Sequence, residues 1–535
     1  MYRIALALAL LTSASPADSP SRVETLIMAT TDLHCRLLPE RGRAGSLADV
    51  AAVVRRLREE SPEAVLLDAG DAFEGSPTAD YYATVDTVAP HPLVALMNRM
   101  GYSGMALGNH EFTYGLNLPK RLAAHLSFPM LAANVTAPSN AWQTHTIVEA
   151  GPVRILVIGV TTPGTALSEG PWLNGVRFDD PVPELRRIIP RLRKLERPDI
   201  VCVLAHTGLG EESTGSGAEN SGMTIARAVP GIDVLFLGHT HTSVDARIGS
   251  TLVLQAGARG ACVATARLAM ERKGKGWKIV NREGELVPAD GPPDSAAVAL
   301  CRAAEEPVGR WLDAEVGTFH AGVSAKDGAL RLDGISRLIA EAMMHAGSGD
   351  IALVPLPPES LTLPAGPVRR RDLYSLQPYL NRLVTVRLSS SQVRACLEQS
   401  AATWAPYAFD GAQQPSPAPG KRFDSFLVAG GLTYVLDYTA PVGERVVSLR
   451  RDAAPPSDSL DVVVSSYQHT GAGGFDVLRT APVVARTDAF LRDVLIEHVA
   501  DGDRPEDTAE TWWSSPSYRG SWAQPVLDML LARSG

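Results

Sequence analysis

Met105-Ala106-Leu107-Gly108-Asn109-His110-Glu111 decides how the rest of the chain is read. An apolar run that stops at Gly-Asn-His sets a neutral oxygen ligand beside an imidazole at the rim of a sheet. In open α/β sheets, ligands bind just beyond the carboxyl ends of the strands. Four other apolar runs in the first half end the same way. Asp32-Leu33-His34 closes the run 25–31, and Gly70-Asp71 closes the run that starts at Val65. His206 closes 200–205, and Gly238-His239-Thr240-His241 closes 232–237. Taken singly, a histidine at a strand end is an ordinary hydrogen-bonded residue, and Asn109 would simply cap a turn. Five successive strand ends with ligand chemistry point instead to one metal site.

Residues two apart on a strand share a face, so Asp32 and His34 can grip one cation, as can His239 and His241 if the strand continues. Carboxylate, amide and imidazole without thiolate suit a borderline or hard ion: Zn, Mn, Fe or Mg. Two cations about 3.5–4 Å apart need a bridging carboxylate and clamp both oxygens of a phosphoryl displacement. Asp71 is placed to be that bridge. Asp68 lies on the strand body and stays outside the set.

At 535 residues the chain exceeds one ordinary core, and 45% hydrophobic with 20% charged residues describes a globular protein. A net charge of −9 gives no electrostatic case for a nucleic-acid polymer. A small anion can still be held by local metal charge. Arg3, the apolar stretch 4–11 and Ser15-Pro16-Ala17 read as an export signal over residues 1–17, and no later run is long enough to span a bilayer. Export to the periplasm or the exterior, without stable membrane insertion, is the expectation. The five cysteines have no tight spacing, and Cys35, Cys202 and Cys262 read as packing residues.

Along the chain, Ser46 opens a capped helix with Leu47, Val50, Ala51, Val54 and Leu57 at helical spacing. Glu74-Gly75-Ser76-Pro77 reads as a turn rather than a helix. His91-Pro92 opens a helix that Gly101 stops. Strands are expected over 129–135 and 153–160, a helix interrupted or kinked at Pro190 over 184–195, and another helix over 219–229. The stretches 251–255 and 261–270 look like antiparallel closing strands. This is a layered α/β domain over 22–275, followed by a linker with a bridging helix over 276–316 and a second domain over 317–535. That second domain should hold strands near 383–388, 432–438 and 461–466. The Trp-rich tail around Trp512 and Trp513 reads as a docking strip.

At the metal motifs the chain resembles the binuclear metallophosphoesterases of the 5'-nucleotidase family, over nearly its whole length. The resemblance implies a four-layer calcineurin-like catalytic domain and a C-terminal α/β substrate-binding domain. By match, Asp32, His34, Asp71 and His241 would hold one divalent ion, and Asp71, Asn109, His206 and His239 the other. His110 matches the histidine that stabilises or protonates at the phosphate. Family members often carry Asp three residues later, where this chain has Thr113; branches handling 2',3'-cyclic nucleotides tend to lack it too. The segments 29–34, 75–81, 206–209 and 218–221 are similar to the exported 2',3'-cyclic-nucleotide 2'-phosphodiesterase/3'-nucleotidases.

In the second half, the segment Asp372 to Asn381 resembles the substrate-domain signature, and Tyr467 matches the aromatic that stacks a nucleobase. Phe423 and Phe426 are candidates for the opposite aromatic. The Pro-rich stretch 354–360 stands where the family has a Gly-rich, Arg-containing segment. The implied activity is hydrolysis of a small-molecule nucleotide by attack of a metal-held hydroxide on phosphorus. Alternatives are a 5'-nucleotidase or nucleotide-sugar hydrolase, and a nucleotide- or metal-binding surface protein that does not turn over.

Overall fold

The first strand, Arg22–Thr30, lies inside a sheet and is buried from Thr25 onward. This computed structural model describes residues 21–40, 45–139, 141–210, 219–325, 334–358, 360–404, 426–438, 440–451 and 456–502. The N-terminal segment read as an export signal, the Trp-rich tail and Phe423 lie outside these residues.

Twelve strands build two six-stranded sheets: β1 (Arg22–Thr30), β2 (Val65–Asp68), β3 (Tyr102–Ala106), β4 (Met130–Leu131), β5 (His145–Ala150), β6 (Val153–Thr161), β7 (Ile200–His206), β8 (Val234–Leu237), β9 (Ser243–Ile248), β10 (Thr251–Ala256), β11 (Cys262–Lys273) and β12 (Gly276–Pro288). One sheet runs β12-β11-β1-β2-β3-β4 and the other β9-β10-β8-β7-β6-β5. β1 to β4 are mutually parallel, as are β6, β7, β8 and β10.

Alternation along the strands explains the layering. Ile27 and Ala29 face a core shared with Val157, Cys202, Leu204 and Phe236 of the other sheet. Leu26 and Met28 point the opposite way, onto helices Leu47–Glu60 and Pro92–Met100. Val201, Val203 and Leu235 likewise meet helix Pro181–Glu196 on the far side. Parallel strands covered on both faces need apolar residues at every position, hence the near-continuous hydrophobic runs. The result is helix, sheet, sheet, helix.

Several local expectations need correction. Glu74-Gly75-Ser76-Pro77 leads directly into a helix, because Ser76 caps it and Pro77 takes its first turn. The helix over Pro181–Glu196 continues through Pro190 as one element and starts earlier, at the Asp180 cap. The strand expected over 129–135 is two short pieces, Met130–Leu131 and Val135–Thr136. β10 is parallel to β8 and only antiparallel to β9. The linker expected from residue 276 is instead sheet as far as Pro288: 273–276 form the hairpin turn between β11 and β12. A two-residue glycine-containing connection between strands is a hairpin signal.

Helix Ser295–Leu312 then packs Ala297 and Cys301 into the catalytic core, while Trp311 near its end meets Tyr374 of the second domain. That domain has its own core around a five-stranded sheet. Its strands are β13 (Ile351–Pro355), β14 (Arg382–Leu388), β15 (Leu427–Gly430), β16 (Leu460–Ser465) and β17 (Val483–Phe490), ordered β15-β13-β16-β14-β17.

Candidate metal centre

Because β1, β2, β3, β7 and β8 run in the same sense within their sheets, their carboxyl ends open onto one edge. The loops beyond them are stitched together by backbone bonds from Asp32 N to Gly70 O (2.8 Å) and from His34 N to Asp71 O (3.0 Å). Glu111 finishes the stitching. It is fully buried, and its carboxylate accepts from the backbone N–H groups of Asp71, Ala72, Phe73 and Gly108 at 2.6–3.2 Å. Gly108 must lack a side chain, since a Cβ there would lie 2.1 Å from Asp71 Oδ1.

Two ligand groups result. Asp32, His34 and His241 present atoms within 4.8 Å of one another, and so do Asp71, His206 and His239. Asn109 joins the second group through Oδ1, 2.9 Å from His239 Nδ1. Five of these side chains sit on residues in the left-handed region: Asp32, His34, Asp71, His239 and His241, with φ between 47° and 74°. Non-glycine residues rarely adopt this conformation, and the strain it costs collects at functional sites.

That backbone also corrects the strand-face argument. β1 ends at Thr30 and β8 at Leu237, so neither pair lies on a strand. Asp32 and His34 still meet, through tight turns. His239 and His241 part company and serve different groups.

The donor set fits cations. His206 Nδ1 donates to the carbonyl of Ala69 at 2.8 Å, which leaves the lone pair on Nε2. Nε2 is buried without a hydrogen-bond partner and faces Asp71 Oδ2 at 3.0 Å. His34 repeats the pattern: Nδ1 lies 3.0 Å from the Glu74 carbonyl, and Nε2 lies 2.9 Å from Nε2 of His241. At His206 and Asp71, acceptor facing acceptor in a buried site calls for a positive charge between them. Without one, burial opposes the charge on His206, but Asp71 outweighs it and lifts the imidazole to about 10.

Sequence comparison agrees with this geometry. Residues 25–243 match the calcineurin-like phosphoesterase family model, and residues 313–480 match the 5'-nucleotidase C-terminal domain. The chain thus carries a calcineurin-like phosphoesterase domain followed by a 5'-nucleotidase C-terminal domain. It is a phosphoester hydrolase, and calcineurin-like members of this class use a dinuclear metal centre. The trifunctional nucleotide phosphoesterase YfkN of Bacillus subtilis is 26% identical over 94% of this chain, which spans 39% of that protein's length. The 2',3'-cyclic-nucleotide 2'-phosphodiesterase/3'-nucleotidase of Salmonella typhimurium is 24% identical, covering 84% of this chain and 82% of its own. A Staphylococcus aureus structure described as a 5'-nucleotidase superposes with a TM-score of 0.75 at 23% identity, covering 92% of this chain and all of that one.

In this metallophosphoesterase His110 stands beside both groups, its ring 5.4 Å from that of His34 and its Nε2 4.0 Å from Asp71 Oδ2. Burial opposes its charge, yet Glu74, Asp71, Glu169 and Glu111 together hold the imidazole up at about 9. The largest of these contributions comes from Glu74, a carboxylate 36 positions earlier, which sequence spacing does not associate with His110. Glu111 was also missed as a functional residue, although it stands in the opening motif. Nothing in a linear motif says that a glutamate will collect four backbone donors.

On the substrate side, Tyr467 is exposed at the carboxyl end of β16. Next to it, Ser466 Oγ accepts from the backbone N–H of Arg382 at 3.2 Å and lies 3.5 Å from Asn381 Oδ1. The Arg382 guanidinium reaches across the domains to the carbonyl of Thr113 (2.7 Å) and to Glu169 (3.1 Å). Three residues therefore connect the Tyr467 face to the turn that carries His110. Phe426 is a different matter. It is fully buried, with its ring at right angles to Trp404, and belongs to the C-terminal core. It cannot stack on a ligand from there.

Proposed function

We propose that this phosphoesterase hydrolyses nucleotides as a 2',3'-cyclic-nucleotide 2'-phosphodiesterase/3'-nucleotidase, exported by its apolar N-terminal segment. Asp32, His34 and His241 would hold one divalent ion, and Asp71, Asn109, His206 and His239 the second, with Asp71 between them. The pair supplies Lewis acidity: charge against the phosphoryl oxygens and a water acidic enough to attack near neutral pH. The water oxygen bonds to phosphorus as the bond to the ribose oxygen breaks. His110 steadies the charge that develops on the phosphoryl group and gives a proton to the leaving oxygen. The backbone N–H groups bound to Glu111 keep the loops of Asp71 and Gly108 fixed, so the ligand set needs no rearrangement at the moment of reaction.

The observation that carries this reading is the exposed Tyr467 joined, through Ser466 and Arg382, to the loop of His110. A nucleobase on that ring would leave its phosphate near the two ligand groups. Among the described residues no helix is long and apolar enough to cross a membrane.

The test is a panel of 2',3'-cyclic AMP, 3'-AMP, 5'-AMP and a plain aryl phosphate, with Asp71→Ala as the inactive control. Preference for the first two supports the reading. Equal rates on all four would remove any role for the nucleoside. Preference for 5'-AMP would favour a 5'-nucleotidase, a reading supported by the C-terminal domain match.

A further inference from the structure

We infer that the Glu74 carboxylate is the positioning residue for His110, taking over from the position-113 side chain. Glu74 is 4% exposed and belongs to neither ligand group. Its ion-pair partners among the described residues are both imidazoles: His110 Nδ1 at 3.0 Å and His34 Nδ1 at 3.7 Å. A buried carboxylate is costly unless its oxygens are matched to donors. The nearer contact assigns that match to His110.

The geometry fixes both ends of the ring. Glu74 Oε2 lies at ion-pair distance from Nδ1, and a carboxylate, which only accepts, favours a proton on that nitrogen. Nε2 is thereby turned toward Asp71 and the ligand groups, 4.0 Å from Oδ2, where a phosphoryl oxygen would lie. Thr113 cannot do the same work. Its hydroxyl lies 3.4 Å from Nδ1, at the edge of hydrogen-bond range, and carries no charge.

The backbone around Glu74 shows why the side chain is held so firmly. Its carbonyl lies 3.0 Å from His34 Nδ1, so one residue faces two imidazoles. Gly75 follows at φ +106°, and a Cβ there would come within 2.7 Å of His34 Nδ1. Ser76 then caps the helix Pro77–Asp80, anchoring the turn from the other side. A sequence that lacks Asp at 113 thus brings a carboxylate to the same nitrogen from another loop.

This inference rests on the phosphoesterase reading, and the test separates the two. We would measure kcat, KM and bound metal for Glu74→Ala, Glu74→Gln and the double variant Glu74→Ala/Thr113→Asp, on whichever panel ester the wild type hydrolyses fastest. Glu74→Ala is expected to lower kcat about 100-fold, the scale of one proton-transfer group, with KM and metal content unchanged. Glu74→Gln, which keeps an accepting oxygen, should fall between. Thr113→Asp in the Ala background should restore kcat at least about tenfold. In the metal-free protein, the Nδ1 proton signal of His110 should vanish in Glu74→Ala and return in the double variant. Full kcat in Glu74→Ala would overturn the inference. So would a loss of kcat that follows metal loss and is not restored by Thr113→Asp. A metal-loaded wild type inactive on every ester would instead overturn the phosphoesterase reading, and the inference with it.

Discussion

Arg492 of the C-terminal domain donates to the carboxylate of Asp80 in the catalytic domain, and both are buried although 412 positions separate them. The guanidinium also donates to the carbonyls of Gln377 (2.7 Å) and Pro378 (2.8 Å) and lies 3.9 Å over the ring of Tyr374. Tyr114 donates to the other oxygen of Asp80. The domains are therefore pinned at a point with no slack. Arg492→Met should cost ~3–5 kcal/mol, because it leaves Asp80 buried without its counter-charge. Adding Asp80→Asn should recover a large part of that loss. Urea unfolding of the single and double variants checks both.

Glu111 predicts a second large effect. Glu111→Ala strands four backbone donors, and bonds to a charged acceptor contribute ~1.5–3 kcal/mol each without adding fully. Loss of stability should come with loss of activity and of bound metal, because the Asp71 and Gly108 loops are freed together. Glu111→Gln should fall between, since two of the four donors then face an amide. Thermal unfolding alongside elemental analysis would read all three.

Chelation should destabilise the fold. His206 Nε2 and Asp71 Oδ2 face each other at 3.0 Å in a buried site, so a bound cation stabilises the folded state alone. At a free ion concentration of about 100 times Kd the contribution is ~2.7 kcal/mol. A chelator should lower the unfolding midpoint, divalent ions should restore it, and Asp71→Asn should blunt both responses. An unchanged midpoint with and without chelator would contradict the metal assignment.

His91 sets an acid limit on stability. It caps helix Pro92–Met100 by accepting from Leu93 N, and burial, aided by Arg121, pushes its imidazole down to about 3. A folded-state value below the unfolded one means that the stabilisation is present above about pH 6.5 and is lost as pH falls toward 3. Across that window stability should fall by as much as ~1.4 kcal/mol per pH unit. His91→Asn keeps a capping oxygen and removes the titration, so its acid limb should be flatter in a series of denaturant melts.

Tyr467 offers a test of substrate placement. Stacking on one aromatic contributes ~1–3 kcal/mol per base. Tyr467→Ala should therefore raise KM for nucleotide esters about 5- to 150-fold with kcat little changed. The aryl phosphate, which has no base to stack, should be hydrolysed as before. Equal losses on both substrates would place Tyr467 in the framework instead.

Much of the catalytic domain was legible because parallel strands buried on both faces must read as apolar runs. A run that stops at Asp, Asn or His then marks a sheet edge by itself. Helix Ser295–Leu312 and the Ser46 and His91 caps could be read from periodicity and capping chemistry, which are local. Strand β12 was read as the start of a linker because the Gly-rich polar residues at 273–276 serve linkers and tight turns alike. Phe426 was misplaced because a phenylalanine looks the same on a binding face and in a core.

The sequence by itself determined which side chains could bind metal and that their strands end at a common edge, since ligand type and strand period are local properties. The family resemblance implied the grouping, but only the tertiary structure shows what produces it. His239 and His241 divide between two sites because left-handed turns, not a continuing strand, aim them. Glu74 reaches His110, and Arg492 reaches Asp80, because loops far apart in the chain are packed against one another. No spacing rule carries that information: which carboxylate meets which cation is fixed by the packing of two domains and by the cost of leaving either charge buried alone.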